Sequence, residues 1–213
     1  MAIRFHDAQL YERDLALFPR NQWLNDAAVH FYLTMIHYEM CGGADDVLLM
    51  DPAVASCMLL QCDDPEDLAD LANGLDLHTK ALVLLPVNDR SSFASQGTHW
   101  ALLVYRQATN AFEFYDSSSN HNIDSAYELA RVLLLALGQD PATATVQAMA
   151  CAQQTNGVDC GIYACLTAEW ISRRFVSHGA TPAESLTGYV TPARVRSVRA
   201  SMPSTVAALA LDE

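Results

Sequence analysis

QQTNGVDCGIY, residues 153–163, is a polar, glycine-containing loop that leads directly into an apolar, helix-compatible segment ending near Val176. The pattern predicts that Cys160 lies at the N-terminus of a helix. Unpaired backbone N–H groups and the positive end of the helix dipole favour an anion there, which would make Cys160 nucleophilic. A lone cysteine is more often a buried structural residue, so the rest of the sequence decides between the two interpretations.

A β-hairpin is predicted by two strand-like runs, GTHWALLVY at 97–105 and AFEFYD at 111–116, which flank the polar QATN at 107–110. His99 opens the first strand and Asp116 closes the second. Antiparallel pairing would bring them roughly opposite each other, within reach of a side-chain hydrogen bond. Alone, each would be an ordinary edge or turn residue. A base oriented by a carboxylate, with a cysteine elsewhere in the fold, is typical of a thiol hydrolase.

Four motifs resemble the active-site elements of the Ulp/sentrin-specific cysteine proteases, which cleave ubiquitin-like modifiers. They are WLND at 23–26, GTHW at 97–100, YDS at 115–117 and QQTNGVDCG at 153–161, and they occur in the family's order. The resemblance implies an α+β fold of the papain-like, Ulp type, with a mixed central sheet and a helical lobe that carries the nucleophile. Within the family, the chain is most similar to the short deneddylase branch, through the motif and loop length of residues 82–105, which contain VNDRSSFASQGTHWALLVY.

The resemblance also implies the catalytic roles. Cys160 is the nucleophile, His99 takes its proton and later gives it to the leaving amine, and Asp116 orients the imidazole. Gln154 matches the glutamine that shares the developing negative charge with the backbone N–H of the cysteine. Its alternative role is an ordinary hydrogen bond within the loop.

Three further residues are implied to bind substrate. Trp23 and Trp100 would line a channel for the Gly-Gly tail of the modifier, and Asp26 would contact residues just upstream of that tail. Because any Cβ would clash between two indoles, such a channel would select glycine. The structural alternatives are a packing role for Trp23 at the start of a helix and a core position for Trp100.

The neddylation modifier is the first choice of substrate, SUMO the second and ubiquitin the third. The four motifs do not discriminate among them, because all three share the Gly-Gly tail. Selectivity is expected from Asp26, from the loop at 88–97, which is also a candidate substrate gate, and from the acidic surface. Ubiquitin's tail carries an arginine where the neddylation modifier has an alanine, so discrimination requires a pocket that accepts the small residue and resists the larger cation.

Two other classes of function compete with a protease. One is a pseudoenzyme that binds a modifier without cleaving it; the filled His, Asp, Gln and Cys positions favour catalysis instead. The other is an acetyltransferase of the bacterial effector type, which shares a Cys-His site. The WLND and GTHW motifs argue against the acetyltransferase.

Length and composition fit a single domain spanning residues 1–213, with an N-terminal arm at 1–20 and a tail from about 204 to 213 that we expect to fray. Hydrophobic residues make up 51% of the chain, which is ample for a core. No apolar run approaches the ~20 residues of a membrane span, and the N-terminus lacks a signal-peptide pattern. We therefore expect a cytoplasmic or nuclear protein, or one exported into a host cell if the source is bacterial.

Charge and cysteine content exclude several partners. The formal charge is −13, from 25 acidic and 12 basic residues, and it disfavours nucleic acid because a phosphate backbone would be repelled. The six cysteines include no CxxC pair, and a chain of this length needs no disulfides. We predict free thiols in a reducing compartment, a monomer, no metal site and no cofactor.

Local signals predict the remaining elements. Asn25 should cap a helix that stops at the CGG of residues 41–43, and Asp51-Pro52 and Asp64-Pro65 should start two short helices. The other predictions are strands at 47–50, 81–87 and 142–148, a helix at 123–137 ended by Gly138, helix starts at Thr181-Pro182 and Thr191-Pro192, a solvated loop position for His121, and a basic patch at Arg194, Arg196 and Arg199.

Overall fold

The computed structural model describes residues 2–62, 64–92, 94–95, 97–178 and 184–209. Within these ranges the strands are β1 (Ala2–Phe5), β2 (Ala8–Tyr11), β3 (Val47–Leu49), β4 (Leu82–Asn88), β5 (Trp100–Arg106), β6 (Ala111–Tyr115) and β7 (Val146–Ala148). The α-helices are α1 (Glu12–Leu15), α2 (Asp26–Met35), α3 (Pro52–Leu60), α4 (Pro65–Gly74), α5 (Ile123–Ala136), α6 (Cys160–Val176), α7 (Leu186–Tyr189) and α8 (Pro192–Leu209). A π-helical turn, Ile36–Met40, extends α2.

A mixed five-stranded sheet forms the centre of the molecule, in the order β3-β4-β5-β6-β7. The three inner strands pair antiparallel, whereas the outer strands β3 and β7 run parallel to their neighbours. A separate antiparallel hairpin is formed by β1 and β2. This mixed sheet with helices packed against it agrees with the predicted α+β class.

The sheet separates two apolar cores, because its inner strands are buried on both faces. Successive side chains of a strand point to opposite sides of the sheet. On one side, Leu102 and Val104 of β5 pack with α2, α6 and α8. On the other, Leu103 and Tyr105 pack with α3, α4 and α5. Burial on both faces explains why the sequences of β4 and β5 are almost continuously apolar, whereas β6, with the half-buried Glu113, alternates.

Capping residues set the helix starts where the sequence predicted them. The Asn25 side chain accepts a hydrogen bond from the Ala28 backbone N–H at 3.0 Å. Asp51 and Asp64 do the same for the second residue of α3 and of α4, and a proline follows each of them. These side chains satisfy N–H groups that have no partner within their helix.

The chain ends are more regular than an arm and a frayed tail require. Within the N-terminal arm predicted at 1–20, residues 2–15 form a hairpin of two extended strands and a short helix. At the other end, α8 continues through residues 204–209, where we expected a frayed tail, because Val206 is buried in the core that contains α6. Strand β7 has three residues, since Pro141–Thr143 forms a 3₁₀ turn. The predicted helix start at Thr181-Pro182 lies outside the described residues.

Arg199 is buried, although the sequence predicted it in an exposed basic patch. Its side chain is 3% exposed, and its Nε donates to the Asp159 carboxylate at 2.6 Å. The terminal nitrogens donate to the backbone carbonyls of Val158, Leu17 and Phe18. The last helix is thereby joined to the residues just before Cys160 and to the N-terminal segment.

We predict that Arg199→Leu lowers the free energy of unfolding by about 3 to 5 kcal/mol, because Asp159 would become a buried, unpaired charge. Urea denaturation followed by circular dichroism measures the change. The matched control is Arg196→Leu on the exposed side of the same helix, which should stay within about 0.5 kcal/mol of the wild type. Equal stability of the two variants would show that the buried pair has no structural importance.

No helix within the described ranges combines the length and the apolar character that a bilayer crossing requires.

Candidate active site

A cleft of about 410 Å³ opens where the starts of α2, β5 and α6 meet. Its lining brings together residues that are far apart in the sequence, namely Trp23, Asp26, Arg90, His99, Trp100 and Cys160. The cleft therefore contains five of the seven predicted site residues. The other two lie outside the cleft lining. Asp116 forms a hydrogen bond with His99, and Gln154 is part of the loop that precedes α6.

Cys160 is the first residue of α6, as predicted, and only 1% of its surface is exposed. The positive end of the dipole of this 17-residue helix is therefore directed at the sulfur. Asn156 shapes the preceding loop, since its side-chain oxygen accepts from the backbone N–H groups of Val158 and Asp159. Gly161 lets α6 approach the segment that precedes α2, because a Cβ at this position would lie 3.1 Å from the Leu24 side chain. Substrate reaches the sulfur only through the cleft.

His99 and Asp116 form the predicted hydrogen bond, with 2.6 Å between His99 Nε2 and Asp116 Oδ1. The pairing of Arg106 with Ala111 closes the hairpin around the predicted turn at 107–110. Extending this register places Asp116 beside Ala101, two residues along the strand from His99. The two side chains still meet, because residues two apart along a strand lie on the same face.

The hydrogen bonds of His99 favour its charged form. Burial by itself would lower the pKa of the imidazole, but the hydrogen bonds to Asp116 and Cys160, with their charges, raise it to about 9. Burial likewise opposes ionisation of Asp116, yet hydrogen bonds from His99, Asn122 and Ser118 hold the pKa of this carboxyl below its usual value. Because Nε2 faces Asp116, Nδ1 is left for the thiol. At neutral pH the site thus holds an imidazolium that can protonate a leaving amine.

Two residues that the sequence analysis did not single out hold this pair in place. Asn122 donates from its backbone N–H to Asp116 Oδ2 at 3.0 Å, and from its side chain to the carbonyl oxygens of His99 and Val87. Asp89 accepts from the backbone N–H of His99 at 3.0 Å. Asparagine and aspartate in loops are common turn formers, so the sequence offered no signal that separated these two from their neighbours.

Gln154 lies on the loop before α6, and its amide is engaged within the protein. Its Nε2 donates to the Asn156 carbonyl at 2.6 Å, and its Oε1 accepts from the Ser117 hydroxyl at 2.8 Å. The backbone N–H of Gln154 donates to the Ser117 carbonyl. These bonds tie the loop to the end of β6. One amide hydrogen of Gln154 remains for a group in the site.

The two tryptophans lie in the cleft in different environments. Trp100 is 4% exposed, and its indole N–H donates to the Leu24 carbonyl at 2.8 Å. It therefore belongs to the core and lines the cleft at the same time. Trp23 is 49% exposed, and its indole N–H donates to the Gly157 carbonyl. An exposed indole held across the loop of the nucleophile is a surface on which a substrate chain can bind.

His121 was predicted as a solvated loop residue, and its side chain is indeed half exposed. Its ring nevertheless packs edge-on against His99, with 5.3 Å between the centroids. Its Nε2 lies 3.5 Å from the Asp89 carboxylate. His121 is therefore part of the outer wall of the site.

All six cysteines are free thiols. Among the described residues, no group of three or more His, Cys, Asp and Glu side chains is arranged to hold a metal ion.

The raised pKa of His99 predicts a pH-dependent loss of stability. The pKa in the folded protein, about 9, lies above the ordinary value of 6.5. The charged imidazole therefore stabilises the fold fully below pH 6.5, and this contribution is lost as the pH rises through 9. Relative to His99→Gln, the wild type should lose up to about 3 kcal/mol of unfolding free energy across this window.

Urea denaturation at intervals between pH 6 and pH 10 would measure this difference. The exposed His78 supplies the control, since His78→Gln should follow the wild-type profile. Parallel profiles for the wild type and His99→Gln would contradict a stabilising imidazolium.

Comparison with known proteins agrees with the geometry of the site. Residues 22–202 match the Ulp1 protease family, C-terminal catalytic domain. Human sentrin-specific protease 8 is 33% identical, over 99% of this chain and 98% of the human protein. NEDD8-specific protease 1 of Arabidopsis thaliana is 32% identical, over 83% of this chain and 77% of the relative. A crystal structure of a de-sumoylating protease has a TM-score of 0.71 at 18% identity and covers 100% of this chain and 92% of that one, which confirms the predicted fold. The chain belongs to the Ulp1 family of cysteine proteases.

Proposed function

We propose that the protein is a deneddylase, a cysteine isopeptidase and endopeptidase that cleaves after the C-terminal Gly-Gly of NEDD8. The observation that carries the proposal is the hydrogen-bonded chain Asp116–His99–Cys160 at the base of a cleft lined by two tryptophans. The choice of NEDD8 is supported by the similarity to NEDD8-specific protease 1 of Arabidopsis thaliana, which the chain matches over 77% of its length.

The contacts support a specific path for the proton. The proton shared by Cys160 and His99 resides on His99 Nδ1, in keeping with the raised pKa of the imidazole, and the thiolate attacks the carbonyl carbon of the terminal glycine. The imidazolium then protonates the leaving amine, which departs and leaves a thioester. A water molecule, deprotonated by His99, hydrolyses the thioester and restores the thiol. Asp116 keeps Nε2 occupied throughout, so that Nδ1 faces the reacting atoms.

Gln154 is proposed to stabilise the oxyanion. Negative charge develops on the carbonyl oxygen during attack, close to the N–H groups at the start of α6. The second amide hydrogen of Gln154 is the additional donor, while the first remains on the Asn156 carbonyl. Preorganised donors of this kind act mainly on the transition state, where the charge is largest.

Trp23, Trp100 and Asp26 are proposed to position the tail. The indoles fix an extended glycine pair next to the nucleophile, where a side chain would be excluded. Asp26, at the start of α2, faces the part of the tail that precedes the two glycines. The alternative functions are a SUMO or ubiquitin protease, a binding protein without activity, and an acetyltransferase. The experiments described next distinguish each of them from a deneddylase.

The proposed nucleophile predicts covalent capture of a modifier. NEDD8 carrying a C-terminal electrophile should form one adduct per protein molecule, detected by mass spectrometry at Cys160. Cys160→Ala should form none, whereas Cys57→Ala, which removes a partly exposed thiol elsewhere, should react like the wild type. Fluorogenic derivatives of NEDD8, SUMO and ubiquitin, compared side by side, then rank the substrates by kcat/KM.

A tenfold or greater preference for SUMO or ubiquitin, about 1.4 kcal/mol in transition-state binding, would overturn the assignment to NEDD8 and leave the protease intact. Binding without any adduct or turnover would identify a pseudoenzyme. Consumption of acetyl-coenzyme A with no proteolysis would identify an acetyltransferase.

Removal of the Gln154 amide should lower kcat. For Gln154→Ala and the near-isosteric Gln154→Glu, we expect a decrease of roughly 100-fold in turnover with little change in modifier binding. Binding is measured with the uncleaved modifier in the Cys160→Ala background. The exposed Gln139→Ala serves as the control. Equal losses in binding and turnover would show that Gln154 acts only by shaping the loop.

A further inference from the structure

An ion pair occupies the wall of the cleft at the position proposed to meet the modifier tail. Arg90 donates from both terminal nitrogens to the two carboxylate oxygens of Asp26, with 2.9 Å between Nη1 and Oδ2. This is the bidentate arrangement in which guanidinium and carboxylate bind each other most strongly. Both residues line the cleft beside His99 and Cys160.

Arg90 is held rigidly in this position. Its Nε and its backbone N–H both donate to the Asn88 side-chain oxygen, at 3.3 and 3.0 Å. The guanidinium also lies 6.0 Å from the centroid of the Trp100 ring. Its side chain is only 9% exposed, whereas that of Asp26 is 33% exposed. Arg90 therefore forms part of the cleft wall, where several contacts fix its guanidinium, and it does not extend freely into solvent.

The pair changes the charge that the cleft presents to a substrate. Asp26 alone would offer a free carboxylate to a basic side chain, but both of its oxygens are bound to Arg90. The other carboxylate of the lining, Asp14, is buried and accepts hydrogen bonds from the Tyr11 backbone and the Asn25 side chain. Both carboxylates in the described part of the lining are therefore already engaged within the protein. Neither is free to bind a basic side chain of a substrate.

We infer that Arg90 is a specificity-determining residue that excludes a basic side chain from the tail position facing Asp26. The inference rests on the proposed function, and it assigns to this residue the discrimination between the alanine of the NEDD8 tail and the arginine of the ubiquitin tail. An incoming arginine is repelled by the fixed guanidinium. It can bind Asp26 only by displacing Arg90, which would leave a nearly buried cation without its counter-ion. A small neutral residue meets neither obstacle.

The test uses two fluorogenic substrates that differ at one tail position, namely NEDD8 with its alanine and NEDD8 with the arginine of ubiquitin in its place. The wild type should prefer the alanine substrate by about tenfold or more in kcat/KM. Arg90→Gln should reduce this preference at least about fivefold, through faster cleavage of the arginine substrate, since the carboxylate of Asp26 becomes available. A preference that stays within about twofold of the wild-type value would overturn the inference.

The chain offers a matched control. Arg106 forms a similar bidentate pair with Glu113, at 2.8 and 3.1 Å, and lies at the opposite end of β5 from Trp100, about 20 Å along the strand. Arg106→Gln should leave the preference unchanged. Arg90→Lys retains a cation and should retain most of the preference for the alanine substrate. If Arg90→Lys loses this preference as Arg90→Gln does, a mechanism based on charge is contradicted. If Arg90→Gln does not fold, Arg90→Met, which keeps the apolar stem against Trp100, replaces it.

A double variant tests whether Arg90 acts through Asp26. In Asp26→Asn/Arg90→Gln the attracting carboxylate is also absent, so the arginine substrate should lose most of the gain seen in Arg90→Gln alone. An undiminished gain would overturn the role of the pair. Failure of the proposed function gives a different result. A pseudoenzyme or an acetyltransferase would cleave neither NEDD8 substrate, and a SUMO or ubiquitin protease would prefer its own modifier to wild-type NEDD8 by about tenfold or more.

Discussion

The carboxylate of Asp116 organises the whole active site. Its two oxygens accept hydrogen bonds from His99, Ser118 and Asn122, and its backbone carbonyl accepts one from the Gln153 side chain. A single buried residue at the end of β6 thus holds the imidazole, the following loop and the loop that leads to Cys160. Burying a charge is costly unless it is fully hydrogen-bonded, so this carboxylate requires all of these partners in place at once. The carboxylate of Asp116 can be buried only when these hydrogen bonds are formed, so its burial and the geometry of the site depend on each other.

Much of this arrangement could be predicted from the sequence, because the signals involved are local. Caps such as Asn25 act within three residues, and buried strands such as β4 appear as short apolar runs. The contact between His99 and Asp116 also follows from one hairpin. The hairpin closes around the predicted turn at 107–110, and although Asp116 lies opposite Ala101, the offset of two residues from His99 keeps both side chains on one face.

The contacts that could not be predicted join residues far apart in the chain. Arg199 and Asp159 are 40 residues apart, and Arg90 and Asp26 are 64 apart. In each case the sequence shows a charged residue, for which solvent exposure is the usual environment. Only the packing of α8 against the N-terminal segment, or of the loop after β4 against α2, brings the opposite charge to it. The same reasoning applies to Asn122, which donates to three acceptors from three different segments, on Asp116, Val87 and His99.

The near-complete burial of the Cys160 sulfur has a consequence for inhibitor chemistry. A reactive compound reaches this thiol only along a path bounded by Trp23 and Trp100, whereas Cys57 can be approached from solvent. Access along this path, and not only thiolate character, therefore determines how fast a reagent modifies Cys160. A covalent drug for this enzyme needs a thin, extended linker that ends in a compact warhead, and its selectivity will come from the dimensions of the linker more than from the reactivity of the warhead.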